Sequence, residues 1–325
     1  MAKTSKWRWG KNRWIILAFI LLNVVGVILA KPVQSIIQVA PENLKAEPLF
    51  TLPYIGSVYL TNTLVAMVLM DLVILFVAWI VKSHVKKDTL VATGLTGVME
   101  MLIEVLYNLT QSTAGKWAKK IFPWFASIFI VVLFANLIKL VPIFETFGIV
   151  EEVPANGYSI VPIAGHWYNV TLPAVGEGGY NVIPFLRGIS TDLNFTLSLA
   201  LISVLMTQVI GVQALGLGYF SKFLNFTTMF KKPFFGFMDF IVGILETISE
   251  FAKIISFTFR LFGNMFAGMV LLILIGVMVP VFAPSLIMMF ELFIGAIQAF
   301  VFGMLTLVFM AMATSGHGDE EHAAG

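Results

Sequence analysis

Arg260 stands inside the apolar stretch IISFTFRLFGNMFAGMVLLILIGVMV, which otherwise reads as a membrane-buried helix. A cation near the middle of a bilayer costs about 2.5–3.5 kcal/mol on insertion scales. A guanidinium does not escape that cost by losing its proton, so it would supply a fixed positive charge. The plain alternatives are a side chain that snorkels to the headgroups or one that closes a structural ion pair.

Its neighbours argue for more. Residues seven apart share a helix face, which puts Glu246, Lys253 and Arg260 on one stripe. Glu291 and Gln298 form a second stripe on the next apolar segment, and Ser256 and Asn264 flank Arg260 by one turn each way. Polar and ionisable groups strung along a membrane hairpin are the expected lining of a water or proton path. The bland alternative makes Asn264 and Gln298 helix glue and leaves Glu246, Glu250 and Lys253 to solvate one end.

Other chemistries are poorly supplied. The chain has no cysteine and only four histidines, His84, His166, His317 and His322, none at metal-ligand spacing in an apolar helix. No phosphate-binding loop, dinucleotide fingerprint or catalytic triad is legible. We therefore expect no metal, no cofactor and no catalytic site. The net charge of +2 gives no argument for nucleic acid.

The elements that must position these residues are membrane helices. Of the 325 residues, 59% are hydrophobic and 12% charged, where soluble domains carry about 25% charged. Six segments are long and apolar enough to span, at about 14–30, 59–81, 122–141, 193–215, 240–279 and 286–313. The first follows Lys3, Lys6, Arg8, Lys11 and Arg13 and reads as a signal peptide or signal anchor. The fifth is too long to cross upright and lacks an internal proline, so a steep tilt is expected, and a hairpin turns between it and the sixth near Pro280 and Pro284. Counting back from that turn brings Arg260 level with Gln298, and Glu291 level with residues 267–269.

Residues 88–113 show apolar positions at helical spacing, with Glu100 and Glu104 on another face. They read as an amphipathic helix on the cytoplasmic surface. The lysine-rich loops orient the chain: both termini, Lys82, Lys86, Lys87, Lys116, Lys119, Lys120 and the 222–232 region lie inside. The loop at 143–190, with four glutamates against Arg187 alone, lies outside, and its glycines and prolines suggest irregular structure. Small residues recur at Gly295, Ala299 and Gly303, and again at Gly263, Ala267 and Gly268, where another helix could approach closely.

The expected fold is thus an all-α integral membrane protein. It has five transmembrane helices, an N-terminal signal or anchor helix (1–31), a cytoplasmic amphipathic helix and a long tilted hairpin of helices five and six. Residues 32–314 form the membrane domain and 315–325 a cytoplasmic polar tail. A self-contained channel or secondary transporter would predict internal repeats or broken helices, and none is visible.

SFTFRLFGNMFAGMVLL followed by QAFVFGMLTLVFMAMA resembles the signature helices of the subunit a family of F-type ATP synthases. RGISTDLNFTLSLALI, with Asp192 and Asn194, and FANLIKLVP, with Asn136, resemble its fourth- and third-span motifs. The likeness covers roughly 50–314. It implies a non-catalytic stator subunit in the bacterial inner membrane, beside a rotating c-ring and a peripheral stalk subunit b within the F1Fo complex. Two offset proton half-channels would reach the ring carboxylates and couple proton flow to ATP synthesis.

The family's essential arginine maps onto Arg260, its helix-six glutamine onto Gln298, and the following asparagine onto Asn264. Glu246, Lys253, Ser256, Asn136 and Asp192 complete the expected ion-path set. Many members carry a carboxylate where this chain has Met269, and a histidine where it has Glu291. The ionisable group has crossed the helix pair, which makes Glu291 the expected outer carboxylate.

Overall fold

A computed structural model describes residues 12–30, 38–45, 47–54, 56–85, 94–141, 143–154, 157–165, 167–174, 178–223, 233–280 and 282–315. The basic cluster before residue 12, Lys86 and Lys87, the 224–232 loop and the tail beyond residue 315 lie outside these. Seven α-helices are described: α1 (Asn12–Ala30), α2 (Asn62–Val85), α3 (Leu95–Ala114), α4 (Ala118–Ile138), α5 (Leu193–Leu215), α6 (Pro233–Met278) and α7 (Ala283–Thr314). Five helical stretches are long and apolar enough to cross a membrane: 62–83, 95–138, 193–215, 240–278 and 283–314.

α6 is one unbroken helix of 46 residues, about 70 Å at 1.5 Å per residue, more than twice a hydrocarbon core of about 30 Å. Its only proline is the first residue, where the missing N–H is one of the orphans of any helix start. α7 runs for 32 residues with Pro284 likewise in its first turn.

α4, α5, α6 and α7 share a core of Phe125, Phe129, Val132, Leu199, Phe257, Leu261, Phe302, Leu307 and Met310. Phe257 of α6 packs on Phe302 and Phe309 of α7, with ring centroids 4.9 and 5.7 Å apart. Ser203 of α5 and Thr306 of α7 bond at 2.7 Å, a buried polar contact of the kind that holds helices together in lipid.

The small-residue stripe on α7 serves a contact different from the hairpin. A Cβ on Gly295 would lie 3.1 Å from Asn136 Cβ, and one on Gly303 would lie 3.1 Å from a Phe125 ring carbon. Both face α4. Gly263 on α6 is different: a side chain there would meet nothing within 4 Å.

α3 divides its apolar stripe. Leu106 is buried and Leu102 and Leu109 pack on the same core, while Val98, Met101 and Val105 are exposed.

The 143–190 loop corrects the expectation of irregular structure, and with it the all-α fold class. β1 (Phe50–Leu52) and β2 (Gly56–Val58) form a small hairpin. β3 (Gly148–Glu152), β4 (Tyr158–Ala164), β5 (Trp167–Ala174) and β6 (Tyr180–Pro184) form an antiparallel sheet in the order β3-β6-β4-β5. Its strands are rich in Val, Ile, Tyr and Trp, which fit a pleated surface, and the glycines mark the joints between them. Pro162 sits inside β4, which pairs with β6 only at Tyr158↔Tyr180, so beyond that point one edge of β4 is unpaired and tolerates a missing N–H. At that junction Gly157 and Gly179 cross so closely that a Cβ on either would fall within 2.5 Å of the other's backbone.

Candidate functional site

The polar groups gather along one line that follows α6. At its centre, the Arg260 guanidinium donates to Ser256 Oγ at 3.1 Å and lies 5.9 Å from the centre of the Phe257 ring. Among the described residues no carboxylate comes within ion-pair distance of it. It is half-buried and stands at the edge of an exposed, apolar side of α6 that carries Ile248, Ile255 and Phe259. Among the described residues an ion-paired arginine is thus not what is seen. One turn on, Asn264 Nδ2 donates to Gln298 Oε1 at 2.8 Å, and Gln298 Nε2 is buried without a partner. The register counted from the hairpin turn is therefore right to within one helical turn.

A second cluster lies toward the C-terminal end of α6. Glu291 on α7 is buried and faces Gly268: a Cβ there would fall 2.4 Å from Glu291 Oε1. Its Oε2 pairs with Lys139 Nζ at 3.4 Å, and both side chains are more than nine-tenths buried. Oε1 has no hydrogen-bond partner. Met269, within the window expected to face Glu291, instead lines a cavity of about 60 Å³ with Gln38, Glu42, Glu145 and Arg187. Burial pushes the Glu145 carboxyl above its ordinary value, against the pull of Lys139 and Arg187, and burial does the same to Glu42 against Arg187. Arg187 donates to the backbone carbonyls of Ala40 (2.8 Å) and Gln38, which fastens the 38–42 segment over the cavity.

A third cluster lies toward the N-terminal end. Lys253 pairs with Glu250 at 2.8 Å and stands 4.7 Å from the centre of the Phe309 ring. Tyr219, in the 3₁₀ turn after α5, donates to Gln208 Oε1 at 2.8 Å. Its phenol is pushed up to about 12 by burial first and then by the charges of Glu250 and Glu246. Those glutamates and Tyr219 therefore share one neighbourhood.

Two expected residues do other work. Asn136 donates to the Gly295 carbonyl at 3.0 Å and accepts from Ser190 Oγ at 2.7 Å, tying α4 to α7 and to the turn before α5. Asp192 caps α5 through the Asn194 N–H at 2.9 Å and accepts from Thr63 Oγ1 of α2 at 2.7 Å. Neither is bonded to the Arg260 group. Lys139, Glu145 and Tyr219 were missed by sequence reasoning, which weighed Glu250 only as a residue solvating one end. Lys139 was visible as a lysine inside the third-span motif, and only its distant partner gives it meaning.

Among the described residues, no group of three or more His, Asp or Glu side chains is arranged to hold a metal ion.

A multi-pass helical membrane protein with an arginine that has no carboxylate partner among the described residues, set between two acid-bearing clusters on a long helix, is built like an ion-translocating subunit. The family profile "ATP synthase A chain" matches residues 64–311, and the chain belongs to that family. It is 33% identical to ATP synthase subunit a of Aliivibrio salmonicida over 255 residues, 75% of this chain and 80% of the relative. It is 27% identical to that subunit of Moorella thermoacetica over 233 residues, 71% and 82% of the two chains. Another relative, 29% identical over 248 residues (73% and 70%), is the "ATP synthase subunit a, sodium ion specific" of Propionigenium modestum.

Proposed function

We propose that this chain is the stator subunit that gives protons two offset half-channels to a rotating c-ring, with Arg260 as the fixed charge between them. The observation that carries this reading is Arg260 itself: a cation without a carboxylate partner, on an apolar and exposed helix face, with an acid-bearing cluster on either side. Lys253 lies seven residues before it and Gly268 eight after, so the clusters stand about 10 and 12 Å away along the helix. A ring carboxylate that arrives without its proton is a costly anion in lipid, and Arg260 stabilises it. The same charge repels a proton moving straight from one cluster to the other. Each proton crossing is worth about 2.3 kcal/mol per 100 mV, and that free energy biases rotation.

In this reading the exposed face of α6 and α7, with the open space at Gly263, receives the ring. The hairpin lies steeply tilted, and α3 lies on the cytoplasmic surface with Val98, Met101 and Val105 against lipid. α1 is an N-terminal anchor or signal segment in a bacterial inner membrane, and a peripheral stalk with subunit b holds the chain against the ring. The chain itself carries no catalytic site. Glu291 serves the outer half-channel, and Glu246, Glu250 and Lys253 serve the inner one.

The test is ATP-driven proton pumping by the whole complex in liposomes, measured with a pH-sensitive dye and no added sodium. Arg260→Ala should abolish pumping while the c-ring still co-purifies. Arg260→Lys should fail as well, because an ammonium is a compact point charge that gives up its proton when buried. Near-normal coupling in the lysine variant would sink the fixed-guanidinium reading, and pumping that needs sodium would replace the proton. Cysteines at Gly178 and Lys222 of this cysteine-free chain should label from outside and from the cytoplasm respectively; labelling from one side would overturn the orientation.

A further inference from the structure

We propose that Lys139 is a tethered cation shared by two carboxylates, Glu291 and Glu145, and that the three groups together pass the proton from the outer cavity to Glu291. The inference rests on Glu291 being the outer carboxylate and extends the path beyond it.

Four observations carry it. First, Lys139 and Glu291 form the buried pair at 3.4 Å, and Glu291 Oε1 is left without a partner, turned toward the gap made by Gly268. A buried carboxylate with one free oxygen is poised to accept a proton or lose its counter-ion. Second, Glu145 lines the cavity of about 60 Å³, which on that measure has room for a few waters at about 15 Å³ each. Third, Glu145 has a backbone φ of 59°, a region in which a glutamate is uncommon. The backbone is held there: the Glu145 N–H donates to the Leu186 carbonyl at 2.9 Å. Backbone held in a sparse region by its surroundings is characteristic of functional positions. Fourth, Lys139 can serve both acids. Its stem runs past Gly188, where a Cβ would come within 3.3 Å of Lys139 Cδ. It is also the strongest of the charges acting on Glu145, and Glu291 is felt there too.

The steps balance. At rest Glu145 holds a proton from the outer water and Lys139 pairs with the Glu291 carboxylate. The Glu145 proton moves to Glu291, directly or through a cavity water, and Lys139 turns to the Glu145 carboxylate left behind. Glu291 then delivers the proton toward the ring and becomes an anion again. Glu145 takes a new proton from the cavity, and Lys139 returns. The trio is neutral until Glu291 releases the proton; Lys139 then faces two carboxylates, and the net charge of −1 draws the next proton from the cavity to Glu145 and restores neutrality.

The experiment measures passive proton flux per assembled complex in F1-stripped vesicles under an imposed potential, with the c-to-a ratio reporting assembly. Glu145→Asn removes the acid yet suits a left-handed backbone, so it should fold. It should lose about a hundredfold in flux, the low end of what a positioned acid contributes. Glu145→Asp keeps the acid and should retain most of the flux. Adding Lys139→Gln to Glu145→Asn should recover part of the loss, because a lysine with nowhere to go no longer locks Glu291. A structural role for Lys139 predicts the opposite, a double variant worse than the single. Wild-type flux in Glu145→Asn, or a double variant below it, overturns the proposal. If Glu291→Gln in the same vesicles conducts normally, the outer-carboxylate reading itself is what fails.

Discussion

Asn264 of α6 and Gln298 of α7 are joined by a 2.8 Å hydrogen bond one turn from Arg260. Both side chains are amides, so the bond survives every change of protonation around it. It fixes the register of the two long helices at the point where a partner must pass. Replacing either residue by leucine leaves the other without its mate in a low-dielectric site. Each single change should lower ATP-driven pumping several-fold. Exchanging the pair, Asn264→Gln with Gln298→Asn, conserves total length and should keep at least half the activity, in line with a bond worth only about 1 kcal/mol in membranes. A swap as damaged as the leucine variants would show that the two sites act separately.

Gly268 makes the space that Glu291 fills. Gly268→Ala places a methyl group 2.4 Å from Glu291 Oε1 in the present geometry, so the carboxylate must move. We expect proton flux to fall without loss of the c-ring. Glu291→Asp in the Gly268→Ala background withdraws the carboxylate by one methylene and should recover part of the flux, while Glu291→Asp alone should do harm. The readout is a double-mutant cycle, and an additive result would mean that the two residues are not in contact.

Glu42 gives a prediction with a definite sign. Burial raises its carboxyl above the ordinary 4.5, and Arg187 only partly offsets this. The folded chain therefore holds the proton to higher pH than the unfolded chain does. Stability from this group is whole below about pH 4.5 and is lost as pH rises through the raised value. Glu42→Gln removes the titration and keeps an acceptor for Asn62 Nδ2, which bonds Glu42 at 3.2 Å. The variant should melt higher than the parent at pH 7 and together with it at pH 4. A variant that is less stable at pH 7 would show that the Arg187 charge outweighs burial.

The helices were legible because their signal is local. Apolar length alone located α5 at Leu193–Leu215, and the missing internal proline foretold an unbroken α6. The facing of Glu291 and Gly268 followed from the hairpin turn and a fixed rise per residue, although Met269 in the same window turns to the cavity. The rest depends on contacts that no local pattern encodes. Lys139 reads as an ordinary lysine at the end of a span, since its carboxylate lies three helices later in the chain. Glu145 reads as one of several loop acids until its backbone conformation and its clamp are known. Asn136 and Asp192 matched motifs, yet one bonds Gly295 and Ser190 and the other caps α5. The glycines near 157 and 179 suggested irregular structure, whereas they permit two strands to cross.

Glu291 itself is the most exposed to refutation. It is the buried acid beside Gly268, toward the C-terminal end of α6 from Arg260, and its Oε1 has no partner. Glu291→Gln keeps the shape and removes the proton-carrying group, so flux and ATP synthesis should fall severely while assembly persists. Met269→Glu should then restore a part. Met269 is 6% exposed and lines the outer cavity with Glu145 and Arg187, next in sequence to the Gly268 gap. A carboxylate there re-enters the same water space from the α6 wall, within reach of the Arg187 charge that would stabilise it. The rescue should be incomplete, because Met269 turns toward the cavity and only Gly268 touches the original carboxylate. The measurement is ATP synthesis against an imposed gradient in all three proteins over a range of pH. Wild-type synthesis by Glu291→Gln across that range would reduce Glu291 to a helix-packing residue held by Lys139.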